Sequence, residues 1–227
     1  MHDKKPKRIK VFTDDEIKDD LEKYRMMAKE LGASGATVIP AEKVHVDKRV
    51  RIKCTIPKCP QYGGSAHCPP HTMEPDKMSE LVQAFKYALL VKLEIQSSVV
   101  VGGDFFMRDK DGKLVPKKAG EEFLKTLRRL SDIVTEIESQ AFYDGHYLAT
   151  SFSSGSCHLN YCNFKECQVL KGQPCRFPLR ARPSMEACSM DVFRMATEAG
   201  WDIYPIGMDC NPALVPQATL VGLVLIE

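Results

Sequence analysis

The sequence predicts an α/β or α+β fold: a mixed sheet with packed helices and two cysteine-rich metal-binding loops. Three observations carry this expectation. Apolar positions recur at helical spacing in four stretches, with strand-like runs between them. The two patterns alternate without an internal repeat or low-complexity linker, so 1–227 reads as a single domain. Seven of the nine cysteines fall in two stretches rich in Pro and Gly, about 53–72 and 155–183, which suit neither helix nor strand.

In chain order, a helix is predicted over 13–31. Thr13 and Glu16 form a capping box, Ile17, Leu21, Tyr24, Ala28 and Leu31 trace one face, and Gly32 stops it. Short strands are expected at 36–40 and 44–46, ahead of the first cysteine loop. Pro75 in a first turn, with Met78, Leu81, Val82 and Phe85 on one face, predicts a helix over 75–86. The apolar run 87–95 predicts a strand, and 104–118 is polar with Asp111-Gly112 as a turn signal. The longest helix is expected over 121–143, where Leu127, Leu130, Val134, Ile137 and Ala141 are spaced by three and four. Such a stripe packs on a sheet; a coiled-coil seam needs more heptads. A strand over 147–152 runs into the second cysteine loop, a helix over 184–199 is closed by Gly200, and strands at 202–206 and 220–226 finish the pattern.

Thirty-two Lys and Arg against thirty Asp and Glu leave a net charge of +2, which steers the chain toward neither nucleic acid nor a membrane surface. The basic first ten residues are not followed by the apolar stretch of a secretory signal, and no apolar run approaches the ~20 residues of a spanning helix. A cytoplasmic protein is expected. In a reducing cytosol clustered thiols point to metal or redox chemistry rather than disulfides, and nine cysteines cannot all pair.

Cys157, Cys162, Cys167 and Cys175 supply four thiols within 19 residues, the number that closes a tetrahedral zinc site or a 4Fe-4S cluster. Their gaps match neither the bacterial ferredoxin run nor paired zinc knuckles. The recurrence of proline beside cysteine, at Cys59-Pro60, Cys68-Pro69 and Pro174-Cys175, favours the bulky cluster, whose ligand loops need rigid irregular backbone. Zinc is the alternative. Cys54, Cys59 and Cys68 supply only three thiols, so a fourth ligand must come from His67, His71, Cys188, Cys210 or an exogenous molecule. Cys188 sits at helical spacing with Met185, Val192 and Met195 and reads as a buried apolar thiol; Cys210, in a loop, is the preferred spare ligand. Arg176, Arg180 and Arg182 beside Cys175 are candidates for binding an anion, or form a solvated basic loop. Asp144, His146 and Tyr147 are a weaker candidate for acid–base work. No Gly-x-Gly-x-x-Gly, Walker loop or Cys-x3-Cys-x2-Cys run is present, so no standard nucleotide site is expected.

Three segments carry a family resemblance: 54–70 ending His67-Cys68-Pro69-Pro70; 85–90; and 173–188, Gln-Pro-Cys-Arg-Phe-Pro-Leu-Arg-Ala-Arg-Pro-Ser-Met-Glu-Ala-Cys, with Asp191-Val-Phe after it. With these the chain resembles a prokaryotic family described as predicted metal-binding proteins, common in anaerobes. The resemblance implies clustered-cysteine metal binding of iron–sulfur type; Asn160 and Asn163 stand where such sequences carry thiols. The functional expectation is electron transfer or redox catalysis with one or two clusters, acting with a redox partner protein or a small-molecule substrate. The alternative is a structural zinc protein that presents a partner-binding surface.

Overall fold

The computed structural model describes residues 5–101, 106–108, 110, 114–207 and 209–227. Capping and periodicity set the first helix, α1 (Asp14–Glu30). The Thr13 hydroxyl accepts from the Glu16 amide at 3.3 Å and the Glu16 carboxylate accepts from the Thr13 amide at 3.0 Å. Ile17, Leu21, Tyr24 and Ala28 form its buried face. There follow β1 (Gly35–Pro40), α2 (Lys48–Ile52), α3 (Pro75–Gln83), β2 (Tyr87–Ile95), a small hairpin of β3 (Phe106–Arg108) and β4 (Leu114–Pro116), and the long α4 (Lys118–Asp144). Then come β5 (Thr150–Phe152), α5 (Cys157–Asn160), α6 (Val192–Glu198) and β6 (Ala218–Ile226).

The main sheet has the order β1-β2-β6-β5. The expected architecture of helices on a sheet is present, and the four strands pair antiparallel rather than as a mixed sheet, which makes the fold α+β. The physical reason is that each strand is joined to its hydrogen-bonded neighbour through the same end of the sheet. Pro40 ends β1 opposite Tyr87, the start of β2, so everything in 41–86, the first cysteine loop included, leaves and re-enters at one end of the sheet.

Both faces of the sheet are covered, so β2 and β6 read as continuous apolar runs. Leu89, Val91, Leu93, Val224 and Ile226 pack with α1 and α4 through Ile17, Leu21, Leu130, Val134 and Ile137. Ala88, Leu90, Leu223 and Leu225 pack on the other face with Met78, Val82, Met185, Met190 and Met195. At Gly222 a Cβ would come within 2.8 Å of Val134 Cγ1 and 3.1 Å of the Phe152 carbonyl, so the missing side chain lets α4 and β5 close on β6.

Several expected boundaries move. The helix foreseen over 184–199 is broken: Glu186–Cys188 makes one 3-10 turn, Ser189 takes a left-handed conformation (φ 65°), and α6 begins only after Asp191, whose carboxylate accepts from the Arg194 amide at 3.1 Å. No strand forms at 44–46, where Val46 makes an isolated bridge to Met190, or at 202–206. The strand over 147–152 is confined to 150–152, the helix from Pro75 ends at Gln83, and α2 and α5 were not foreseen. The Asp111-Gly112 turn lies outside the described residues. No helix among the described residues is long and apolar enough to cross a membrane.

Asp144 and His146 are engaged in holding the fold rather than lining an open site. Asp144 receives Lys7 Nζ at 2.9 Å, Lys23 Nζ, Tyr24 Oη at 3.0 Å and Gln140 Nε2 at 3.2 Å. The His146 ring stacks on Phe12 and places its nitrogens 2.9 Å from Glu227 Oε2 and 3.2 Å from Asp20 Oδ2. The cluster ties the segment before α1 and the end of β6 to the α1–α4 pair; Tyr147 is exposed.

Burial by itself would raise the Asp144 pKa, but hydrogen bonds from Lys23 and Lys7 outweigh it and hold the group at about 2, against 3.8 for an ordinary aspartate. Its stabilisation is therefore complete above pH 3.8 and is lost as pH falls through about 2. Asp144→Ala is expected to lower unfolding free energy in urea at neutral pH by about 2 kcal/mol. The gap between variant and parent should close as pH falls across that window.

Candidate metal centre

The second cysteine loop begins where β5 ends, and backbone hydrogen bonds close it. The Ser153 amide donates to the Pro183 carbonyl at 2.9 Å and the Met185 amide to the Ser153 carbonyl at 3.0 Å, so the two ends of the loop lie side by side. Inside it, Ser156 caps α5 by accepting from the His158 amide at 3.3 Å, which sets Cys157 in the first turn. Asn163 and Phe164, both at positive φ, turn the chain after Cys162, and Gly172 (φ 73°) turns it again before Cys175.

One edge of α4 clamps this loop along its length. Arg128 donates to the Asn160 carbonyl. Asp132 takes a two-pronged contact from Arg180 at 2.8 and 2.6 Å, and Ser131 donates to the Arg180 carbonyl at 3.0 Å. Glu138 takes Arg182 at 2.9 and 2.6 Å and the Ser151 amide at 2.8 Å. Arg180 and Arg182, two of the anion-binding candidates, already have partners. The anions they hold are carboxylates of the protein itself, because the loop folds back onto the acidic edge of α4. Arg176 alone stays with the cysteines, its Nη1 lying 4.0 Å from Cys162 Sγ and 2.8 Å from the Glu166 carbonyl.

Cys157, Cys162, Cys167 and Cys175 line one cavity of about 40 Å³, together with His67 from the first cysteine loop and the apolar Val169, Phe177 and Ala181. The four thiols differ in environment. Burial pushes Cys157 up to about 12 despite a contact to Ser65 Oγ, and neighbouring thiolates add to the rise. Burial also opposes ionisation of Cys167, but the amides of Ala66, Leu170 and Val169 donate to it and Arg176 lies near, so its pKa falls below the ordinary value. The Phe177 amide donates to Cys175 Sγ at 3.4 Å. His67 Nδ1 is buried without a hydrogen-bond partner among the described residues, a state that costs about 1–3 kcal/mol in the absence of a ligand.

In the first loop the Cys59 amide donates to the Cys54 carbonyl at 3.0 Å, and Cys59 and Cys68 both raise the Cys54 thiol's pKa, after burial. The two loops interlock. Cys68 Sγ meets Ser156 Oγ at 3.2 Å, Cys157 Sγ meets Ser65 Oγ at 3.7 Å, and the His158 ring meets Gln61 Oε1 at 3.0 Å. Each loop thus sets a serine against a thiol of the other. His71 is exposed. The Cys210 thiol meets the Asn211 carbonyl at 3.8 Å, and none of its described contacts is with the first loop. Among the described residues no group of three or more His, Cys, Asp and Glu is placed to hold a single metal ion.

Ser65, Ser156, Asp132 and Glu138 were not anticipated. A signal existed for Ser156, which precedes a helical turn as N-caps do. None existed for the α4 acids, whose partners lie some 44 to 48 residues away.

A family model with the description "Predicted metal-binding protein (DUF2284)" matches residues 37–226. That span contains both cysteine loops. No curated protein and no solved structure matches the chain.

In the reduced, metal-free protein, mass-spectrometric mapping of alkylation at mildly alkaline pH is expected to find Cys167 modified well before Cys157, following the lowered and raised pKa of the two thiols. Arg182→Ala leaves a half-buried Glu138 without its cation and is expected to cost about 3 kcal/mol in urea unfolding.

Proposed function

The chain belongs to this metal-binding family, and from that premise we propose that Cys157, Cys162, Cys167 and Cys175 carry an iron–sulfur cluster of 4Fe-4S type, in a protein of electron transfer or redox catalysis. The observation that carries the reading is the shared cavity: four thiols from four separate turns line one enclosed, largely apolar space. Zinc needs every sulfur about 2.3 Å from a single point, and among the described residues no three such donors are placed to hold one ion. A cubane instead offers a separate iron to each thiolate.

The surroundings suit such a group. Amides donate to the Cys167 and Cys175 sulfurs, and the Ser65 hydroxyl, which accepts from the Cys157 thiol, would donate to its thiolate, the kind of hydrogen bond that tunes cluster potential. Arg176 offsets negative charge beside Cys162. The unpartnered His67 Nδ1 would gain a partner at the cavity wall. When bound, the cluster would accept and release single electrons. The chain would hold the thiolates through the α4 clamp, with Val169, Phe177 and Ala181 as the apolar part of the cavity lining.

Protein purified without oxygen should be brown, contain iron and acid-labile sulfide in equal amounts, and lose visible absorbance on dithionite reduction. Cys175→Ser should lower iron, sulfide and colour together. Colourless protein with stoichiometric zinc overturns the reading.

A further inference from the structure

Cys188 lies far along the chain from the first cysteine loop, yet the fold brings its turn against that loop. The 3-10 turn Glu186–Cys188 ends at Ser189, whose left-handed backbone (φ 65°) is costly for a residue other than glycine. The surrounding contacts hold the turn in place: Thr72 donates to the Ala187 carbonyl at 2.8 Å, the Asp47 amide to the Ser189 carbonyl at 2.7 Å, and Val46 bridges Met190. Thr72 closes the first cysteine loop and Asp47 caps α2, which leads into it. The Cys188 and Cys54 thiols share Arg51 and Glu186 as charged neighbours, and Cys68 is within electrostatic reach of both; Cys59 is within reach of Cys54. Beside Cys188, the Ser189 hydroxyl is fully buried and finds no partner among the described residues.

We propose that Cys54, Cys59, Cys68 and Cys188 form a second centre for a thiophilic metal, adjoining the first. Three ligands come from the surface loop and the fourth from the edge of the core, in place of the loop residue Cys210. The site stands on the packing of the Cys188 turn against the first cysteine loop; only the identity of its metal, iron–sulfur, rests on the function proposed above. The Cys68–Ser156 and Ser65–Cys157 contacts make a common wall between the two centres.

Metal and sulfide per folded chain, measured after anaerobic purification of the full-length protein, test this directly, with circular dichroism reporting the fold. Cys59→Ser, Cys188→Ala and Cys175→Ser should each lose about half the metal, the Cys59/Cys175 double variant nearly all of it, and Cys210→Ala none. Full metal retention in Cys59→Ser overturns the second centre. Full retention in Cys188→Ala, or loss of half in Cys210→Ala, overturns Cys188 as the ligand. Because Cys188 borders the core, Cys188→Ser, which keeps the volume, replaces Cys188→Ala if the latter does not fold. Its expected signature is loss or alteration of one centre's signal in the electron paramagnetic resonance of reduced protein, and an unchanged spectrum counts against the assignment. Zinc in place of iron, with the same halving, leaves the second centre standing and removes the iron–sulfur reading instead.

Discussion

The polar edge of α4 is the constraint on which the cysteine site depends. A loop of some thirty residues with little regular structure has many conformations, and ordering each residue costs about 1–2 kcal/mol in backbone entropy. Burial of the loop's own side chains cannot offset that, because many of them are polar or exposed. What holds the loop is a row of charge-assisted contacts, Arg128 to the Asn160 carbonyl, Asp132 to Arg180 and Glu138 to Arg182. They are spaced along a helix whose other side is locked to the sheet by Leu130, Val134 and Ile137. The rigidity of the core thus reaches the thiols through three side chains of one helix.

The sheet contributes through its connections. The first cysteine loop lies in the excursion between β1 and β2, and the second begins directly after β5, where Phe152 pairs with Leu223 of β6. Because β2 and β6 pair along their whole lengths at the centre of the sheet, the places where both loops leave it are held in fixed relation. The interlock of Ser65 with Cys157 and of Ser156 with Cys68 then needs only short reaches. Two loops that are separate in sequence become one cysteine-rich region.

What could be read from the sequence was what depends on local chemistry. The Thr13–Glu16 capping box, the Pro75 start and the three- and four-residue spacing along α4 each specify an element without reference to anything distant, and each is present. The grouping of Cys157, Cys162, Cys167 and Cys175 around one cavity was legible for the same reason, since the short stretches between them confine them to one region. The break at Ser189 was not legible. Met185, Val192 and Met195 keep helical spacing because both sides of the break face the same core, so periodicity alone reports one helix where the structure has a turn and then α6. The same break moves Cys188 from a helix face to the border of the first loop. The ion pairs of Arg180 and Arg182 were hidden too, because a basic run near cysteines looks alike whether its counter-charge is a ligand or a helix of the same chain.

The thiols impose a condition on the metal-free state. Neighbouring thiolates repel one another, and in this enclosed setting Cys157 is pushed up to about 12, mainly by burial and further by Cys68, Cys162 and Cys167. In the metal-free protein at neutral pH Cys157 is therefore a neutral thiol, while the amides at Cys167 already favour its anion. A metal that binds all four must displace the proton of Cys157, so binding releases protons and strengthens as pH rises. The two kinds of thiol divide the work. Cys167 gives up its proton more readily than an ordinary thiol, and Cys157, buried against the other loop, would ionise only if a metal replaced its proton. Closure of the site is in this way tied to occupancy of its deepest position, where the two cysteine loops touch.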